Sequence, residues 1–321
     1  MIDANETGTL GVIYLRRYWS RITGARLGVR DIAADPEADN ILLAGLRIGI
    51  RETVDFLMTA VPSFDAFEEW VLAKNGGSFD PLIVERLNGA LRGDGAFTLE
   101  SILAEPVLSP ADLAHWDEQG YVVVRQVVSG EQCQAALAAV LDHARISMDD
   151  QDSWYKDGIW IPLAHHRALW ANRDSPRIHT AFAQIWGRGD LWMNVDVCGV
   201  NPPEREGYRF QGTPLHWDMP LAPPFRFGTQ AILYLTDVAA DQGAFSCVPG
   251  FHHKLEAWLD GLPAGSDPHA VARKELTPVP IAGSAGDLII WNHALPHQAT
   301  PNRASLPRVA QYLNMFPGKG R

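Results

Sequence analysis

The feature that most constrains the fold is a series of short apolar runs, separated by glycine and proline turns, that begins near residue 190. The runs read LWMNVDVCGV, TQAILYLTDV, AFSCVPG, TPVPIAG, GDLIIW and RVAQYLNMF. Many short strands with turn signals and few helices between them are typical of a β-sandwich or a jelly-roll barrel. The second half of the chain is therefore expected to be mainly β, with flanking helices.

The first 107 residues follow a different pattern, in which apolar residues recur at threes and fours. The predicted helices span Leu10–Ile22, Asp39–Ala60 and Phe64–Lys74. We divide the chain into an N-terminal helical extension, residues 1–107, and a jelly-roll domain, residues 108–321. The extension holds no cluster of His, Cys or paired carboxylates, so a layer that packs on the main domain or on a second subunit is favoured over a lid. We expect a homodimer through these helices.

Composition narrows the class of partner. The chain carries a formal net charge of −11 and is 46% hydrophobic, so neither a basic surface nor a nucleic-acid partner is expected. Its three cysteines are too few for a disulfide framework, and their odd number fits a reducing compartment. No stretch has the pattern of a signal peptide or a membrane-spanning helix, so we expect a cytoplasmic protein that does not enter a membrane.

The tripeptide HWD occurs twice, and the two copies lie in different local structure. The first, at His115 and Asp117, follows Ser109-Pro110 and ends at Gly120, which are helix start and stop signals. Residues i and i+2 of a helix point to nearly opposite sides, so these two side chains should diverge. We interpret this copy as the end of a helix.

The second copy lies between Pro214 and Pro220, where prolines at both ends favour an extended chain. In an extended segment His216 and Asp218 project to the same side and can bind one metal ion. An HxD pair alone is a weak signal. It needs a third ligand from elsewhere in the chain.

The segment GSAGDLIIWNHALPHQATPNRASLPRVAQY offers that ligand as His293 or His297. Two histidines and one carboxylate leave open positions on the metal, as in non-haem Fe(II) oxygenases. Such enzymes often use 2-oxoglutarate, whose distal carboxylate suits an arginine fork. Arg308 follows His297 at the start of a strand, whereas Arg303 follows His293 in a turn, so spacing alone leaves both pairings open.

These residues resemble the phytanoyl-CoA dioxygenase family of Fe(II)/2-oxoglutarate oxygenases. The similarity runs from about Leu108 to Pro317. Its motifs are LSPADLAHWDEQGYVVVRQVVSGEQ, the HxD pair, TDVAADQGAFSCVPGFHH, and AGDLIIWNHALPH with the late arginine. The resemblance does not cover the N-terminal extension.

The resemblance implies a double-stranded β-helix, a cupin-like jelly roll, preceded here by the helical segment. It implies that His216, Asp218 and His297 bind Fe(II) and that Arg308 binds 2-oxoglutarate, with O2 as the oxidant. This assignment chooses His297 and Arg308 over His293 and Arg303.

Further candidates come from strand parity and position. Gln230 shares a strand face with Tyr234, so we predict that Gln230 contacts 2-oxoglutarate or substrate and that Tyr234 contacts substrate. The resemblance places Lys156 in a region of co-substrate or substrate contacts. Arg209 and His252 are candidate substrate contacts close to the metal motifs. Six of the eleven tryptophans fall between residues 154 and 217, where they line either a substrate cleft or an aromatic core.

Together the patterns predict an enzyme that hydroxylates an aliphatic C–H bond of a small molecule, a natural product or an amino-acid-like metabolite, with succinate and CO2 as co-products. The alternative is a metal-binding cupin-like isomerase or binding protein without oxygenase activity. Arg308 discriminates between them, because a site that does not take 2-oxoglutarate has no need of a buried cation.

Overall fold

The structure is a computed structural model that describes residues 5–26, 34–94, 105–155 and 159–318. The helices are α1 (Leu15–Arg26), α2 (Pro36–Gly45), α3 (Ile50–Ala60), α4 (Phe64–Lys74), α5 (Pro81–Arg92), α6 (Pro110–Gln119), α7 (Gly130–Ala144), α8 (Arg167–Arg173), α9 (Pro176–Trp186), α10 (Leu255–Asp260) and α11 (Pro268–Glu275). The strands are β1 (Tyr121–Val124), β2 (Trp160–Ile161), β3 (Leu191–Met193), β4 (Cys198–Asn201), β5 (Thr229–Tyr234), β6 (Phe245–Cys247), β7 (Val279–Pro280), β8 (Leu288–Asn292), β9 (His297–Ala299), β10 (Arg308–Leu313) and β11 (Met315–Pro317). Among the described residues, no helix is long and apolar enough to cross a membrane.

One compact unit consists mainly of helices. It contains the described residues of Met1–Ile102, Trp186–Asp196 and Met315–Arg321. Strands β3 and β11 pair antiparallel with each other in this unit. Apolar side chains from α1 to α5 share one core with Trp192 of β3, so this unit buries its own apolar surface.

The predicted single helix Asp39–Ala60 is wrong, because the chain forms two helices, α2 and α3. The backbone leaves the helix at Arg47, which has a left-handed φ of 53°. A new helix then begins where the Glu52 carboxylate accepts a hydrogen bond of 2.8 Å from the Gly49 N–H. Apolar residues continue at helical spacing on both sides of the break, so periodicity alone does not reveal it.

The second unit, Leu103–Ile185 with Val197–Asn314, contains the predicted β structure. Six strands form an antiparallel sheet in the order β1-β8-β5-β10-β4-β2, here called the major sheet. Three form the antiparallel minor sheet, β7-β6-β9. Side chains of both sheets meet in one apolar core. Two antiparallel sheets over a shared core, with helices beside them, are the predicted jelly-roll architecture.

The two faces of the major sheet are buried against different partners. Ile232 and Tyr234 of β5 lie in the core between the sheets, which makes theirs the inner face. On the outer face, the Gln311 side chain of β10 accepts a hydrogen bond of 3.0 Å from Asn172 of α8. The parity that groups Gln230 with Tyr234 therefore corresponds to the inside of the barrel.

Tyr234 joins the two sheets rather than presenting a free hydroxyl. Its hydroxyl donates to the Ile281 carbonyl and accepts from the Phe245 N–H, both at 2.9 Å. Burial raises the pKa of this phenol, which therefore stays neutral. This differs from the predicted substrate contact, because the backbone already occupies the polar atom that would make it.

The first HWD copy is helical, as predicted. Ser109 and Asp112 form a capping box at the start of α6, and Gly120 ends the helix with a φ of 76°. The His115 ring packs edge-on against Tyr121, at a centroid distance of 4.9 Å. Its HxD letters therefore form no chelating pair.

A buried carboxylate stabilises the start of β8. Asp287 is 1% exposed and accepts hydrogen bonds from the N–H groups of Gln126 (3.1 Å) and Ser284 (2.9 Å). Its third partner, the Arg125 guanidinium at 2.6 Å, is 64% exposed. The two backbone groups lose their acceptor if the carboxylate is removed, whereas Arg125 remains hydrated.

We expect Asp287→Ala to lower the free energy of unfolding by about 2–4 kcal/mol, because it leaves two backbone donors unpaired. Arg125→Ala should cost about 1 kcal/mol or less, since the exposed partner of an ion pair contributes little. Urea denaturation of both variants measures the difference. Equal losses would contradict this assignment.

Candidate metal centre

An antiparallel bridge attaches the second HWD copy to the minor sheet. The His216 N–H donates to the His297 carbonyl at 3.0 Å, and the His297 N–H donates back to the His216 carbonyl at 2.9 Å. His297 begins β9, which pairs with β6. The bridge therefore holds two segments that are distant in sequence side by side, and directly opposite residues share a face.

The three predicted ligands come together at this bridge. Asp218 Oδ1 lies 3.3 Å from His216 Nε2, and Asp218 Oδ2 lies 3.2 Å from His297 Nε2. One ligand atom from each residue falls within 4.8 Å of the others. Two imidazole nitrogens and a carboxylate oxygen suit Fe(II), and three ligands on one side leave the other positions open.

Both histidines are oriented through their other ring nitrogen. His216 Nδ1 lies 2.9 Å from the Pro214 carbonyl, and His297 Nδ1 lies 3.2 Å from the Leu295 carbonyl. A carbonyl only accepts, so each Nδ1 carries a proton and Nε2 is the ring nitrogen that faces Asp218 and can bind a metal. This is the tautomer that metal binding requires.

Electrostatics keep the carboxylate ionised. Hydrogen bonds from His216 and then His297 lower the pKa of the Asp218 carboxyl far below its usual range, although burial opposes them. Burial disfavours the charged form of His216, but the bond to Asp218 and its negative charge outweigh burial and raise the His216 pKa. The site is thus prepared to bind a cation.

Gln230 supports the carboxylate from the first inward position of β5. Its Nε2 donates to Asp218 Oδ2 at 2.6 Å, and its Oε1 accepts from Trp291 Nε1 at 3.1 Å. Trp291 lies directly opposite Gln230 on β8. Gln230 therefore lies at the centre, where its amide hydrogen-bonds Asp218 and Trp291; a contact of Gln230 with 2-oxoglutarate or substrate stays a prediction.

Arg308 is buried on the inner face of β10, with 2% of its surface exposed. Its Nη2 lies 3.5 Å from the Tyr312 hydroxyl, and its buried Nε has no hydrogen-bond partner. Among the described residues, no carboxylate lies within ion-pair distance of it. A buried guanidinium without a counter-charge is costly, so the arrangement fits an anionic ligand.

The alternative pair is arranged differently. The Arg303 side chain is 74% exposed and lies 3.7 Å from Glu204, outside the barrel core. The His293 ring packs against Gly228, where an added Cβ would lie 2.2 Å from Nδ1. The geometry thus favours His297 with Arg308, the pairing that the family resemblance implies.

Two of the remaining predicted site residues, Arg209 and His252, are not at the centre. Lys156 lies outside the described residues. Arg209 is exposed in the loop between β4 and the metal motif. His252 Nε2 lies 3.0 Å from the Asp117 carbonyl, so in this structure its ring contacts the end of α6.

Two inner-face residues escaped the sequence analysis. Tyr312 lies four positions after Arg308 on one strand, so strand alternation alone could have found it. Trp291 contacts Gln230 only because β5 and β8 pair in one particular register. Nothing local in the sequence specifies that register.

Comparison with known proteins agrees with this geometry. The family model described as phytanoyl-CoA dioxygenase (PhyH) matches residues 116–310. A putative phytanoyl-CoA dioxygenase of Dictyostelium discoideum is 22% identical over 257 residues, which cover 63% of this chain and 74% of that protein. The Ava biosynthesis cluster protein O of Aspergillus versicolor is 21% identical over 238 residues, 62% of this chain and 75% of its own length.

Among solved structures, the chain is similar to the non-heme alpha ketoglutarate dependent carbocyclase SnoK from nogalamycin biosynthesis. The two share 23% identity and a TM-score of 0.49, over 70% of this chain and 87% of that one.

Asp218→Ala should weaken Fe(II) binding by about 100-fold or more, since loss of even a supporting partner of a metal ligand costs 10–100-fold. Asp117→Ala, the matched change in the first HWD copy, should leave Fe(II) affinity unchanged. Anaerobic Fe(II) titration measures both. Comparable loss in the two variants would show that the second copy is not a metal site.

Gln230→Ala should weaken Fe(II) binding by about 10- to 100-fold, because Asp218 loses the donor that orients it. Gln298→Ala is the control, since Gln298 follows His297 on β9 and points to the other side of the strand. The same titration applies. The assignment fails if the Gln230 variant binds Fe(II) as tightly as the unmodified protein does.

Proposed function

This chain belongs to the phytanoyl-CoA dioxygenase family, and from that premise we propose that it hydroxylates an aliphatic C–H bond of a small metabolite. Fe(II), 2-oxoglutarate and O2 are its cofactors. The proposed substrate is a natural product or an amino-acid-like compound. Succinate and CO2 would be the co-products.

His216, Asp218 and His297 would hold the iron. Their Nε2 and carboxylate atoms converge, and the two carbonyl contacts at Nδ1 keep the rings in the metal-binding tautomer. When bound, iron with 2-oxoglutarate and O2 supplies the oxidation of the C–H bond. The chain's own contribution is orientation, because Gln230 and the bridge between the two histidines keep the carboxylate and rings in place.

The observation that carries the proposal is the buried guanidinium of Arg308, which has no carboxylate counter-charge in the described part of the chain. An arginine fork matches a carboxylate with two parallel hydrogen bonds, and its charge persists when it is buried. The Tyr312 hydroxyl beside Nη2 is a second donor for the same anion. The distal carboxylate of 2-oxoglutarate would satisfy both groups, whereas an isomerase or binding protein that holds only a metal has no use for this cation.

The centre also has an open side through which a substrate can approach. The Asp218 side chain is 47% exposed, although His297 beside it is buried. A co-substrate held by Arg308 from within the barrel would leave that open side for the molecule to be oxidised. With this arrangement a substrate could reach the metal centre without entering the barrel completely.

Arg308→Met should weaken 2-oxoglutarate binding by about 30-fold or more, because it removes one partner of a buried charged pair. The readout is the weak visible charge-transfer band that forms when 2-oxoglutarate is added anaerobically to the Fe(II) protein. Fe(II) affinity should change less than about threefold, since Arg308 contributes no metal ligand.

Arg308→Lys is the matched control, because lysine keeps the positive charge but lacks the planar two-pronged guanidinium. Its affinity for 2-oxoglutarate should lie between those of the unmodified protein and the Arg308→Met variant. Absence of the band in the unmodified protein would overturn the oxygenase proposal. Equal 2-oxoglutarate affinity in all three proteins would remove Arg308 from it.

A further inference from the structure

Trp160 lies on the inner face of the major sheet. Four residues form one row across the sheet. Trp160 of β2 lies opposite Gly199 of β4, Gly199 lies opposite Ala310 of β10, and Ala310 lies opposite Tyr234 of β5. Directly opposite residues in antiparallel strands point to the same side. Ala310 and Tyr234 belong to the core between the sheets, so the Trp160 indole is directed to that side as well.

The neighbouring row confirms this orientation. Ile161 lies opposite Cys198, and Cys198 lies opposite Gln311. All three are buried, and Gln311 bonds Asn172 of α8 on the outer face. Trp160, by contrast, is 44% exposed. An inward-facing tryptophan on the last strand of the sheet thus keeps much of its apolar surface open.

Tyr312 continues the aromatic surface toward Arg308. Its ring centroid lies 5.0 Å from that of Trp160, with the planes tilted by 43°. Gly199 makes room for this ring, since a Cβ there would lie 2.9 Å from Tyr312 Cε2. The Tyr312 hydroxyl lies at the Arg308 guanidinium, so the open indole connects with the proposed co-substrate site through one side chain.

The same surface lies close to the metal centre along the sheet. Tyr312 is directly opposite Ile232, two residues from Gln230 on β5. Two residues of an antiparallel strand span about 7 Å. Gln230 bonds Asp218, so a molecule lying on the aromatic pair would be within reach of the metal ligands.

We propose that Trp160 and Tyr312 form a substrate subsite that binds a flat, mainly apolar ring system through stacking on the open indole. The inference rests on the proposed function, because it assigns the ring to the molecule that is oxidised. When a planar ring covers an exposed tryptophan, apolar surface is removed from water, which favours binding. Offset or tilted stacking of the two rings adds to the binding free energy. A saturated, non-planar skeleton of the same size would stack poorly.

The test uses the full-length protein with Fe(II) and 2-oxoglutarate under anaerobic conditions, titrated calorimetrically with 2-naphthol. Its saturated counterpart, trans-2-decalol, is titrated in parallel. The protein should bind 2-naphthol at one site and decalol about tenfold more weakly. Trp160→Ala should weaken 2-naphthol binding about tenfold, while Trp160→Phe, which restores a flat ring, should stay within about threefold of the unmodified protein.

Phe227→Ala is the matched control, because Phe227 is also an exposed aromatic residue (46%) but contacts Trp116 of α6. Its affinity for 2-naphthol should be unchanged. The subsite is refuted if the unmodified protein does not bind 2-naphthol, if decalol binds equally well, or if Trp160→Ala has no larger effect than Phe227→Ala.

The charge-transfer band is recorded for each of these proteins. Its absence from the unmodified protein would defeat the oxygenase proposal, whatever the result with 2-naphthol. A normal band in every variant, combined with equal 2-naphthol affinities, would defeat the subsite alone.

Discussion

The metal centre depends on two backbone hydrogen bonds between His216 and His297. The HxD segment lies outside the regular strands, and β9 is only three residues long, so each segment depends on the other for its position. Paired with each other, they continue the minor sheet and bring the two rings to a centroid distance of 4.5 Å. Asp218, two residues after His216, therefore lies beside the Nε2 atoms of both histidines.

The inner face of the major sheet supplies what the bridge does not. Gln230 supports the carboxylate at one end of this face, and Arg308 provides a buried positive charge further along it. Along the strand direction, Tyr312 lies between Gln230 and Arg308. Trp160, on the edge strand β2, is partly exposed to solvent. The residue that supports Asp218, the proposed co-substrate site and the proposed ring subsite thus share the inner face of the major sheet.

Much of this site was predictable from sequence, because its elements are marked locally. Prolines on both sides of the second HWD indicated an extended chain, and a serine cap with a glycine stop identified the first copy as a helix. Contacts between distant segments were not predictable. The Gln230 amide donates a hydrogen bond to Asp218. The Tyr234 hydroxyl is hydrogen-bonded to the backbone of Phe245 and Ile281, and the His252 ring contacts the carbonyl of Asp117 in α6.

By itself the sequence indicated most of the strands after residue 190, though not β2, and it determined which residues share a face of each strand and which residue types could bind iron and a carboxylate. These properties follow from the two-residue period of a strand and from side-chain chemistry, both of which are local. Only the tertiary structure decided the register, such as Gln230 opposite Trp291, and the pairing of β3 with β11. Register depends on how segments far apart in the chain pack over a common core, and no single segment carries that information.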